Sequence, residues 1–172
     1  MYGTLEAADS GQPRLRFERT LTHPPEQVWR AVTEPQHLAH WFPTTIDGER
    51  AAGARLSFDF PNGEAPGFAG EMLVFTPPRV MELRWGPDTL LLELRPLKRG
   101  TRLILLDTLE ELGKAARDAA GWHTCLDALG AHLDRKPDSR ASMDAWHEVH
   151  PTYVANFGPA CATIGPPLHD HV

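Results

Sequence analysis

Between Arg55 and Leu109 the chain carries five apolar runs of period two, joined by linkers too short to cross a sheet. The first, RLSFDF, sets Leu56, Phe58 and Phe60 on one face and Arg55, Ser57 and Asp59 on the other, as a strand with one buried face does. After the turn-forming PNGEAPG come FAGEMLVF, RVMELRWG, TLLLELRPL and TRLILLDTL, separated by TPP, GPD and KRG. Parallel neighbours would need crossovers of about a dozen residues, so these strands are antiparallel. The period then lengthens. Ala115, Ala119, Trp122, Leu126, Leu129 and Leu133 recur at alternating steps of four and three, which predicts one stripe of a helix over 113–135.

Upstream, Leu15, Phe17 and Leu21 alternate with Arg14, Arg16, Glu18 and Thr20, and Arg19 interrupts the apolar side. This is a further strand, preceded by residues 1–13 as a flexible lead-in. THPPEQVWRAVTEP offers Thr22 as an N-cap and prolines near the first turn, with Val28, Trp29 and Val32 as the apolar stripe of a short helix. A second short helix begins at Pro35, contains Leu38, Trp41 and Phe42, and ends at Pro43. Beyond Pro137, the residues Met143, Trp146, Val149, Tyr153, Val154 and Phe157 predict a helix kinked or interrupted at Pro151 and stopped by Gly158. The ending PACATIGPPLHDHV is too rich in proline and glycine for regular structure. An antiparallel sheet with a long helix against one face is an α+β architecture.

At 172 residues one domain with a tail is expected. The net charge of −6, with basic residues scattered along strands, argues against a nucleic-acid surface, because phosphate binding needs clustered Lys and Arg. Two cysteines, Cys125 and Cys161, cannot build a disulfide framework or a multi-thiolate metal site. The absence of a signal-like start and of any membrane-length apolar run points to a cytoplasmic protein.

Three stretches carry a family resemblance: HPPEQVWRAVTEPQHLAHWFP, GEMLVFTPPRVMELRW and GWHTCLDALGAHL. They are similar to the START/Bet v-like superfamily, also called SRPBCC or helix-grip, in the branch of the activator of heat shock protein 90 ATPase. The resemblance spans 14–136 as one domain and leaves 137–172 as a C-terminal extension of the kind found in some bacterial relatives. It implies a curved antiparallel sheet wrapped around the long C-terminal helix, a cavity between them, and the two short helices near its mouth. The function it implies is non-catalytic binding of a small hydrophobic molecule in that cavity, with no cofactor. The alternatives are an enzyme acting on an aromatic or polyketide-like substrate in the same cavity, and a chaperone ATPase-activator-like interaction module. The last is weakened by the lack of a linker to a second chaperone-binding module. An exposed apolar patch on the sheet or the extension would mark a protein partner or a homodimer.

On this reading Trp41, Phe42, Phe58, Phe60, Trp85 and Trp122 line the ligand cavity, against the plainer expectation that each is core packing. Arg19 joins them as the polar contact, since burying it requires a paired acid or an anionic ligand group. Asp107 and Glu93 could also project inward, although a solvated strand face is the simpler expectation. The helical pairs His37 with His40 and His147 with His150 lack a third ligand, and HEVH falls one residue short of HExxH, so no metal is expected. The tail pair His169 and His171 is weaker still. Cys125 and His123 point to different faces of the long helix and make a poor nucleophile pair, so no catalytic residue is assigned.

Overall fold

The computed structural model describes residues 1–137 and 141–166. The tail pair His169 and His171 lies outside them, as do parts of the predicted extension. Seven strands form one antiparallel sheet: β1 (Thr4–Ala7), β2 (Pro13–Leu21), β3 (Arg55–Phe58), β4 (Phe68–Thr76), β5 (Val80–Trp85), β6 (Asp88–Pro96) and β7 (Thr101–Thr108). Their order is β1-β2-β7-β6-β5-β4-β3. The strands from β3 to β7 are meander neighbours, as their short turns require. The closing pair is β2 with β7, in a register that sets Leu15 opposite Asp107 and Phe17 opposite Leu105. The α+β helix-grip architecture expected from the sequence is therefore the one observed.

Residues 4–7 do not remain a flexible lead-in. They pair with β2, Leu5 opposite Leu15, because β2 would otherwise present unpaired edge groups, and the Gly3 N–H donates to the Tyr153 hydroxyl at 2.9 Å. Between Met72 and Val74 the register of β4 shifts in a bulge. Such an extra residue bends the strand and re-aims the side chains beyond it.

Helix α1 (Pro25–Thr33) begins after Pro24, without a side-chain cap. Thr22 stands too far upstream to cap it, and Pro25 at the first helical position needs no N–H partner. Helix α2 is one turn, Pro35–Leu38. Further turns carry the chain to Trp41, whose indole N–H donates to the Ala31 carbonyl at 2.9 Å. The long helix α3 (Ala115–Leu133) follows a 3-10 turn at Leu112–Lys114 and lies across the inner face of the sheet. Helix α4 (Met143–Phe157) is continuous through Pro151 rather than interrupted there. The proline and His147 are both exposed, so solvent can satisfy the carbonyl that loses its partner. Gly158, at φ 89°, ends the helix as expected. Helix α4 rests on α3 through Tyr153 and Trp146, the latter donating to the Arg117 carbonyl at 3.2 Å.

Candidate functional site

The six predicted aromatics form one connected set between the sheet, the end of α2 and α3. Phe42 follows α2 and meets Trp41 at 5.3 Å between ring centroids, Trp85 of β5 at 5.2 Å and Trp122 of α3 at 5.6 Å. Trp85 also touches Trp122 at 5.9 Å and Phe58 at 4.8 Å. Phe60 joins only through Phe68, at 6.2 Å. Most of these contacts are tilted or edge to face, the arrangement that aromatic quadrupoles prefer. Trp41, Phe42, Phe58 and Trp122 are buried, while Phe60, Phe68 and Trp85 are half-buried at one end of the sheet. Gly70 makes room for this contact: a Cβ there would lie 2.5 Å from a Phe58 ring carbon and 2.1 Å from the Arg84 carbonyl oxygen.

Beneath the rings lies a polar constellation that links β6, β7 and the start of α3. Trp122 needs an acceptor for its N–H in an apolar setting, and it donates to Asp107 Oδ2 at 2.8 Å. Asp107 is 1% exposed, which overturns the solvated strand face expected for it. Its other oxygen, Oδ1, has no hydrogen-bond partner. Burial, followed by the neighbouring charges of Asp118 and Asp88, holds the Asp107 carboxyl well above the usual carboxylate range. Burial likewise raises Asp118, opposed by Arg117, whose Nε donates to it at 2.6 Å. Asp88 accepts from Lys114 Nζ at 2.7 and 2.6 Å and from the Glu110 N–H at 2.8 Å.

One oxygen from each of Asp88, Asp107 and Asp118 falls within 4.8 Å of the others. Such a set could hold a metal ion, but the Lys114 ammonium already supplies a cation to both Asp88 oxygens. What the arrangement offers chemically is a buried carboxyl with a strong hold on its proton, placed against an aromatic wall.

Arg19 does not join this cluster. It faces α3, where Nη2 meets Asp127 Oδ1 at 3.4 Å, and its guanidinium lies 5.9 Å from the Phe17 ring centre. The acid it required comes from the protein itself. Burial pushes Asp127 up, but the His123 ring and then Arg19 hold it below the ordinary value. Glu93 is occupied by Arg95 at 2.7 Å on the outer face. Cys125 is buried and its thiol is pushed up to about 12 by that burial, so it stays a thiol. His147 and His150 both contact Trp146, His150 stacked at 4.2 Å.

Sequence reasoning missed Phe68, Asp88, Lys114 and Asp118 as neighbours of the cluster. The first of these is the start of FAGEMLVF, and its inward face could have been read from the same alternation. The three charged residues gave no such signal, because they come from separate segments, GPDT at the start of β6 and LGKAARDAA at the start of α3, that meet only in the fold. Large apolar side chains left exposed among the described residues are Met1, Tyr2, Leu112 and Met143. Among the same residues no helix is long and apolar enough to cross a membrane.

Comparison with solved structures reproduces the fold. CalU16 from Micromonospora echinospora is 22% identical, with 90% of this chain and 95% of that chain covered at a TM-score of 0.68. The protein encoded by BPP1335 of Bordetella parapertussis is 23% identical, covering 99% and 96% at 0.66. DynU16, described as a protein in the dynemicin biosynthetic locus, is 26% identical, covering 73% of this chain and 49% of that one at 0.64. No curated protein matches the chain. The model of the family described as Activator of Hsp90 ATPase homolog 1-like protein matches residues 22–134, well over half of the sequence, in the stretch running from α1 to the end of α3. The chain belongs to that family.

Proposed function

We propose that the protein is a non-catalytic binder of a small, largely apolar molecule, held between the curved sheet and α3. The observation that carries this reading is the joining of Trp41, Phe42, Phe58, Phe60, Trp85 and Trp122 into one set of rings that ends on a buried carboxyl with a free oxygen. Pockets for small molecules combine apolar walls with a few placed polar groups in this way. The rings lie against one another, so a guest enters by displacing them. Trp85 and Phe68 are half-buried at the end of the sheet, and Trp85 lies directly against Trp122, the ring that donates to Asp107, so this is the side from which a guest would part the rings. Arg19 has its own acid and is left out of the binding set. The two unpaired, buried cysteines support a reducing, cytoplasmic setting.

Screening hydrophobic metabolites by tryptophan fluorescence tests the reading, with Trp85→Ala as the control variant. Lining predicts a saturable change, lost in the variant, and a stability cost below the ~3–5 kcal/mol of a Trp→Ala change in plain core. No response in the screen, together with the full core cost, would leave the rings as packing alone.

A second reading, an enzyme acting on an aromatic or polyketide-like substrate at the same place, draws on Asp107 and Asp118. A carboxyl held in its protonated form can serve as a general acid. It is supported by the likeness to DynU16, which is described as belonging to a biosynthetic locus. Here Asp107→Asn would retain binding while turnover disappears. Equal turnover in that variant would exclude Asp107 as the acid.

A further inference from the structure

At the opposite end of α3 from Asp107, a cavity of about 230 Å³ opens against α1 and α2. Its polar lining is Gln27, Arg30, His37, His132 and Arg135, and Ala31 and Leu133 supply apolar wall. The sequence pairs His37 only with His40, and the fold adds a third histidine. His37 Nδ1 lies 3.0 Å from His132 Nε2, while the His40 ring stacks on His132 at 4.2 Å and 13°.

In a chain of net charge −6, this concavity is locally basic. The guanidinium groups of Arg30 and Arg135 have no hydrogen-bond or ion-pair partner among the described residues. The nearby acids are engaged elsewhere. Asp134 meets His23 at 2.9 Å and Lys136 at 3.3 Å, and Glu34 accepts from Gln36 at 2.7 Å, standing 3.8 Å from His37. The C-terminal ends of α1 and α3 bring partial negative charge here, roughly half an elementary charge per uncapped end. Much of that charge is already met: at the end of α3 the Ala131 and His132 carbonyls accept from the Lys136 and Arg135 N–H groups, and at the end of α1 the Ala31 and Thr33 carbonyls accept from the Trp41 indole and the Arg50 guanidinium, so two full guanidinium charges outweigh what remains.

Arg135 has φ 55°, the single positive value at a non-glycine among the described residues. A position just past a helix end in this conformation normally takes Gly or Asn, since a larger side chain crowds its own backbone. Arginine thus stands at a position whose conformation glycine would take more freely, and its side chain is presented at some backbone cost.

We propose that this cavity is a second binding site, separate from the aromatic cluster, for a small oxyanion: a carboxylate or phosphate group on a short apolar body. Arg30 and Arg135 grip the charge, the His37–His132 pair and Gln27 supply further donors, and Ala31 and Leu133 meet the apolar part. Burial, then the charges of His40 and His37, lowers the His132 pKa. A bound anion reverses that penalty. Binding therefore tightens as pH falls through the imidazole range, against a surround of Arg30, Arg135, His23, His40, Glu34 and Asp134.

Inorganic phosphate and butyrate, titrated separately into the intact protein while the His37 and His132 side-chain nitrogens are followed by NMR, test this. We expect a saturable shift with at least one probe, and the probe that acts assigns the group. The apparent imidazole pKa should rise in its presence. Arg30→Gln and Arg135→Gly should each weaken the response at least about tenfold, roughly 1.4 kcal/mol of binding. Arg135→Gly should also melt at a higher temperature, since glycine takes the left-handed conformation freely. That pairing of gained stability with lost binding separates a ligand role from a structural one. The proposal is overturned by the lack of a saturable response to either anion, by unchanged affinity in both variants, or by saturable Zn²⁺ binding at the histidines without an anion response.

Discussion

Asp107 shows how one buried atom can govern the behaviour of a molecule. Its carboxyl is held above the ordinary range by burial and by Asp118 and Asp88. A group whose folded pKa is raised contributes stability below its unfolded value, near 3.9, and loses that contribution as pH rises through the folded value. Asp107→Asn keeps an oxygen for the Trp122 N–H and removes a buried group that can ionise. We expect it to stabilise the protein at neutral pH by about 1 kcal/mol and to flatten the pH dependence above pH ~4, measured by denaturant unfolding across pH. Unchanged pH dependence would mean that Asp107 carries no proton in the fold. The contrast with Arg19 is instructive. A charge breaking an apolar alternation announces that it needs a partner, so Arg19 was legible in the sequence. Its partner Asp127, 108 positions away, was not, and neither was the burial of Asp107, whose mixed strand context looks the same for an inner or an outer face.

Individual strands and helices were readable from the period of their apolar residues, and their ends less so. The runs from β3 to β7 and the stripe of α3 coincide with observed elements because both periods are local properties of the backbone. The departures have causes that the local period does not carry. Strand β1 forms because β2 has a free edge, and α4 runs through Pro151 because the exposed side of the helix tolerates the lost hydrogen bond. Gly70 in β4 is a further case, since its lack of a side chain serves Phe58 in the neighbouring strand. Gly70→Ala should cost about 1–3 kcal/mol as an overpacking change. It should also disturb the near-ultraviolet circular dichroism of the aromatic set, whereas an unaltered spectrum would show that the cluster does not depend on that close approach.

Across the molecule, the N-terminal strand, α3 and the C-terminal extension converge on Tyr153. Its hydroxyl accepts from the Gly3 N–H at 2.9 Å and is hydrogen-bonded to His123 Nδ1 at 2.8 Å. Burial pushes this phenol up to about 12, so it keeps its proton at any physiological pH. Tyr153→Phe strands both partners and should cost about 1–3 kcal/mol, with faster amide exchange in Thr4–Ala7. Exchange no faster than in the parent would detach β1 from the extension. The order of apolar and polar residues was enough to specify strands, helices and the antiparallel meander, because hydrogen-bonding geometry acts over a few neighbouring residues. Which side chains share a site depended on the β2–β7 pairing and on where α3 and α4 come to rest. Rings, carboxyls and imidazoles separated by tens of positions meet only after those long loops close, and no local period encodes that meeting.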